Sequence, residues 1–104
     1  MPFNPYLKNK GFFVDTFFLY LSMKKLEIKL RSLAPNGLSN ATHLSKADKA
    51  IIDELLILIH DYEGSDINGY LDEMILDTQN DGPVAGFTVE ELQAFISEHK
   101  LRSL

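Results

Sequence analysis

The sequence contains no cysteine, and that absence removes several chemistries together. Disulfides, thiolate-held zinc and cysteine nucleophiles are excluded, so the fold rests on packing, as it does in most intracellular proteins. No apolar run reaches the roughly 20 residues that span a bilayer. The stretch GFFVDTFFLYL at residues 11–21 follows Lys8 and Lys10 as a signal peptide would. However, Asp15 interrupts it, no small-residue cleavage site follows, and lysines resume after Met23. The expectation is a cytoplasmic protein with no membrane contact, whose native start is either Met1 or Met23. There is also no glycine-rich phosphate loop. His43, His60 and His99 stand far apart, with no paired-histidine metal motif and no serine–histidine pattern. A non-enzymatic protein without a cofactor is expected.

Charge of one sign is missing from a long stretch. Residues 50–99 hold twelve Asp and Glu and no Lys or Arg, whereas residues 1–49 hold eight Lys and Arg against three acidic residues. The net charge of −5 conceals this division. Some of the acidic surface cannot be neutralised internally, so nucleic acid is not an expected partner, and a basic protein is.

What is present describes one helical domain. A chain of 104 residues with 45% hydrophobic content can bury a single modest core, with residues 1–11 read as an irregular amino-terminal arm. Leu19, Met23, Leu26, Leu30 and Leu33 recur at helical spacing until APNG stops them. A competing reading exists, because KLEIKLR alternates with period two and suits a short strand at residues 25–31. The second helix is expected from Ser45 to Glu63, capped by Ser45 and ended by Gly64. Leu55, Leu56 and Ile59 should be buried, because IIDELLILI is apolar on nearly every side. A third helix should start at Ser65 or Asp66 and bury Ile67, Tyr70, Leu71, Met74 and Ile75. A fourth should run from Val89 to about Leu101 with Leu92, Phe95 and Ile96 inward. The fold class is therefore all-α, a compact bundle of about four helices.

The stretch DTQNDG, residues 77–82, has oxygen-bearing side chains at Asp77, Gln79 and Asp81 followed by Gly82, as in a calcium loop. The spacing then fails, since Thr88 stands where the bidentate glutamate belongs. Thr88 and Glu91 instead form a capping box, with Phe87 and Leu92 as its hydrophobic staple. NGYLDE, residues 68–73, also resembles part of an EF-hand loop. There Gly64 and Ile75 fall on the two decisive ligand positions. No calcium binding at physiological levels is expected, and a degenerate EF-hand-like, ion-responsive module using Asp77, Gln79 and Asp81 is the alternative.

Five of the seven phenylalanines lie within the first eighteen residues. Either these rings complete the core, or Phe12, Phe13, Phe17 and Phe18 join two copies, and a homodimer is expected. Asp61, Glu63, Asp66, Asp72 and Glu73 are the candidate acidic face for a basic partner. The stretch HDYEGSDINGY, residues 60–70, resembles the small acidic immunity proteins of nuclease bacteriocins, in which a helix ending in His precedes a Gly–polar–Asp turn and a tyrosine. The chain departs from that pattern in lacking the doubled tyrosine before proline, in its longer following loop and in its first helix. The resemblance implies an inhibitor of a basic protein and carries no binding residues across. A structural subunit that only self-associates is the remaining reading.

Overall fold

A computed structural model describes residues 23–62, 66–82 and 86–104. The arm at 1–11, the rings Phe12, Phe13, Phe17 and Phe18, and Glu63 lie outside the described residues. Among the described residues helix α1 covers 23–32, so 25–31 is helical and not a strand. The three-and-four spacing of its leucines decides this. It buries Leu26 and Leu30 completely, while Met23 and Leu33 pack at the margin of the core. No strand is present among the described residues to pair with an extended segment. On the outer side Glu27 accepts from Arg31 Nε (3.1 Å) and lies 3.5 Å from Lys24 Nζ. Partial burial pushes the Glu27 carboxyl up, but the Arg31 hydrogen bond and the Lys24 charge outweigh it and hold the carboxyl below its usual range. The small stabilisation from this exposed network is present at neutral pH and fades as pH falls below the ordinary glutamate range. APNG stops the helix through a turn in which Gly37 N–H donates to the Ala34 carbonyl (3.0 Å). Gly37 has φ 93°, a conformation that L side chains rarely adopt. His43 Nε2 donates to the Leu33 carbonyl (2.9 Å), closing the helix end.

Helix α2 spans Lys46–Leu58, and the Ser45 side chain accepts from Asp48 N–H (3.0 Å) as expected. Ile51, Ile52, Leu55 and Ile59 are buried, whereas Leu56 is only half-buried. The helix also ends earlier than Glu63. Ile59 N–H still bonds the Leu55 carbonyl, but Asp61 N–H then bonds Leu58 in a turn (3.1 Å), and Tyr62 comes to rest against Tyr70, with ring centroids 5.1 Å apart.

Helix α3 spans Ile67–Asp81, and the Asp66 carboxylate accepts from Gly69 N–H (3.2 Å). It buries Ile67, Tyr70, Leu71, Met74 and Thr78, and leaves Ile75 half-buried. Residues 77–81 continue the helix and do not form a loop. The chain leaves it at Gly82 with φ 72°.

Helix α4 spans Val89–Glu98 behind the expected capping box. Glu91 N–H donates to Thr88 Oγ1 (3.1 Å), and Thr88 N–H donates to Glu91 Oε1 (2.8 Å). Phe87 and Leu92 are both buried, as a staple requires, and Phe95 and Ile96 join them. The helix stops before Leu101. Lys100 takes the left-handed conformation (φ 54°, ψ 44°), and one 3-10 turn, Leu101–Ser103, drives Leu101 fully into the core. Helix α4 packs on both α2 and α3, completing an all-α bundle around one buried cluster. No helix among the described residues is long and apolar enough to cross a membrane.

Thr88→Ala removes one half of the capping box and is expected to cost about 1 kcal/mol in chemical denaturation. An unchanged midpoint would show that the box contributes nothing.

Candidate acidic interface between α2 and α3

The register of α3 on α2 is set by one buried hydrogen bond. Tyr70 Oη donates to the Leu55 carbonyl (2.6 Å), fifteen residues away, and this carbonyl also accepts from Ile59 N–H. Burial, followed by the charges of Glu54 and Glu73, pushes ionisation of the Tyr70 hydroxyl far upward, so the ring stays a neutral donor. Tyr62 leans on this ring from the α2–α3 turn. Gly69 makes the approach feasible, since a Cβ there would lie 2.7 Å from the Tyr62 hydroxyl. Desolvation, then Glu73 and Asp66, raise the Tyr62 hydroxyl as well. The NGYLDE stretch that resembles an ion loop thus serves a helix start and an aromatic contact.

The structure brings together part of the candidate face. Asp66 and Glu73 are exposed and act on Tyr62, and Asp61 is exposed in the turn before it. Asp72 is engaged within the chain. Arg102 Nη2 donates to its carboxylate (2.6 Å), and Nη1 donates to Asn68 Oδ1 (3.0 Å). Sequence reasoning left Arg102 outside the acidic half, and only the 3-10 turn after Lys100 carries it back to α3. Glu54, Tyr62 and Tyr70 were not anticipated at the site. Glu54 lies on a different helix, and nothing in its local sequence announces Tyr70 as a neighbour.

The alternative ion ligands are separated by the helix that contains them. At about 100° per residue, Asp77 and Asp81 share a side of α3 while Gln79 points away from them. Among the described residues, no three His, Cys, Asp or Glu converge as a metal-binding set. Asp77 and Asp81 instead border a groove of about 420 Å³ between α2 and α3. Glu54 stands on its other side, and Leu58 and Met74 contribute apolar surface.

The chain matches no family model, curated protein or solved structure. The likeness of residues 60–70 to bacteriocin immunity proteins therefore rests on that stretch alone. Within it, Asp66 caps α3, Gly69 admits Tyr62 and Tyr70 ties α3 to α2.

Proposed function

We propose that this protein is a non-enzymatic interaction module that holds a basic protein partner, as an inhibitor of immunity type would, through the face formed by the α2–α3 turn and the start of α3. The observation that carries this reading is the set of exposed carboxylates of Asp61, Asp66 and Glu73 beside the half-buried Tyr62 ring. Among the described residues no cation pairs with them. An aromatic ring edged by carboxylates offers a partner both contact area and a charge that selects lysine or arginine. The contribution of Asp72 is smaller than its charge suggests, because Arg102 already occupies it. Cysteine-free composition supports a cytoplasmic setting. The phenylalanine-rich segment supports a homodimer, and light scattering at tens of micromolar tests it, a monomer mass removing that part of the proposal.

The partner is to be recovered by affinity capture at low and moderate salt and then titrated against purified protein. A basic protein binding one-to-one is expected, with affinity falling as salt rises. Because Asp66 also caps α3, the double reversal Asp61→Lys with Glu73→Lys is used, and it should weaken binding about tenfold or more, equivalent to about 1.4 kcal/mol. Affinity indifferent to both salt and reversal would overturn the proposal.

A further inference from the structure

The outer face of α1 and the groove between α2 and α3 are complementary in charge, apolarity and spacing. On α1, Lys25 and Ile28 are exposed on the side turned away from Leu26 and Leu30, and half-buried Lys29 lies at its flank. Ile28 is 59% exposed, and neither lysine has an ion pair among the described residues. Ile28 and the two lysines, at i+3 and i+4 spacing, make one small patch in which an exposed apolar side chain is edged by positive charge. The groove presents the converse arrangement. Leu58 and Met74 provide apolar surface, while Asp77 and Asp81 on one wall and Glu54 on the other are carboxylates with no ion pair among the described residues. Lys25 and Lys29 are four residues apart on one helix, and Asp77 and Asp81 are four apart on another. Each pair is therefore separated by about 6 Å along its helix, so the two pairs match in spacing.

We infer that this groove is a docking site for a second copy of the chain, which enters with the outer face of its α1. Ile28 lies over Leu58 and Met74, Lys25 and Lys29 meet Asp77 and Asp81, and the lysine stems cover the groove edges while their ammonium groups stay near water. This surface differs from the Asp61, Asp66 and Glu73 face proposed for the partner and from the phenylalanine-rich segment. A monomeric protein would remove both this inference and the phenylalanine-rich dimer, whereas salt-insensitive association that survives both charge swaps would remove this inference alone, and partner binding is read separately.

Sedimentation velocity on the full chain tests the inference through a charge swap. Wild-type protein should self-associate at low ionic strength, with the association weakening about tenfold or more as salt is raised toward several tenths molar. The pair Lys25→Glu with Lys29→Glu, and separately Asp77→Lys with Asp81→Lys, should each sediment as a salt-insensitive species with the association lost. An equimolar mixture of the two variants should restore it. The lysine substitutions fall at the carboxy-terminal end of α3, where positive charge suits the helix dipole, and circular dichroism checks that each variant is folded. The milder pair Asp77→Asn with Asp81→Asn serves if the reversal unfolds the chain, and it should weaken association in the same direction. Wild-type protein that stays monomeric, variants that associate like wild type, or a mixture that does not associate would each overturn the inference. Reversal at Asp61 and Glu73 should leave this self-association unchanged.

Discussion

Leu55→Ala is expected to destabilise the domain by about 2–5 kcal/mol, measured as a shift in the denaturant midpoint at constant slope. Leu55 has no solvent exposure and sits near the middle of α2, facing the buried residues of α3 and α4. Truncation removes the transfer free energy of its branched end and leaves a cavity that three packed helices cannot easily close. Leu56 provides the internal control. It is half-buried at the edge of the core, so its alanine variant should cost clearly less. Equal losses at the two positions would mean that the α2 face assigned to the core is wrong.

Tyr70→Ala should cost about 3–5 kcal/mol, because it removes a buried ring from between α2 and α3 together with the hydrogen bond to Leu55. Tyr70→Phe separates the two effects. It keeps the ring and removes only the hydroxyl, and the Leu55 carbonyl retains Ile59 N–H, so a loss of about 1 kcal/mol is expected. The same pair of proteins tests the ionisation argument. Burial, Glu54 and Glu73 raise the Tyr70 hydroxyl above its unfolded value. The unfolded chain therefore releases this proton first, at about pH 10. The stabilisation is complete below that pH and is lost progressively above it. Alkaline denaturation should begin there in the wild type, with tyrosinate absorbance for this ring appearing only as the protein unfolds. Tyr70→Phe should flatten the alkaline limb, and an identical limb in both proteins would remove Tyr70 from the explanation.

The candidate acidic face was legible in the sequence as a bias in charge, but not as a site. Twelve carboxylates without a lysine or arginine can be counted along residues 50–99. Which of them meet depends on the crossing of α2 and α3. Glu54 approaches Tyr70 because its helix packs there, Asp72 is occupied because a turn returns Arg102, and Asp77 faces a groove because α3 continues through Asp81. The calcium-like order of residues 77–82 misleads for the same reason. Side chains alternating along an extended loop would converge on an ion, whereas the same residues on a helix diverge.

By itself the sequence determined the helical class, the caps at Ser45 and Thr88, the α3 cap to within Ser65 or Asp66, the inward face of α4 and most of that of α3. These depend on spacings of three and four residues and on side chains bonding their own backbone, all within one turn of chain. Tertiary structure decided where α2 ends, that α3 continues through Asp81, and how Leu101 enters the core. At each of those points the competing local conformations differ by little. Contacts between residues distant in sequence, such as Tyr62 on Tyr70 or Leu101 in the buried core, supply the larger free energy that selects one.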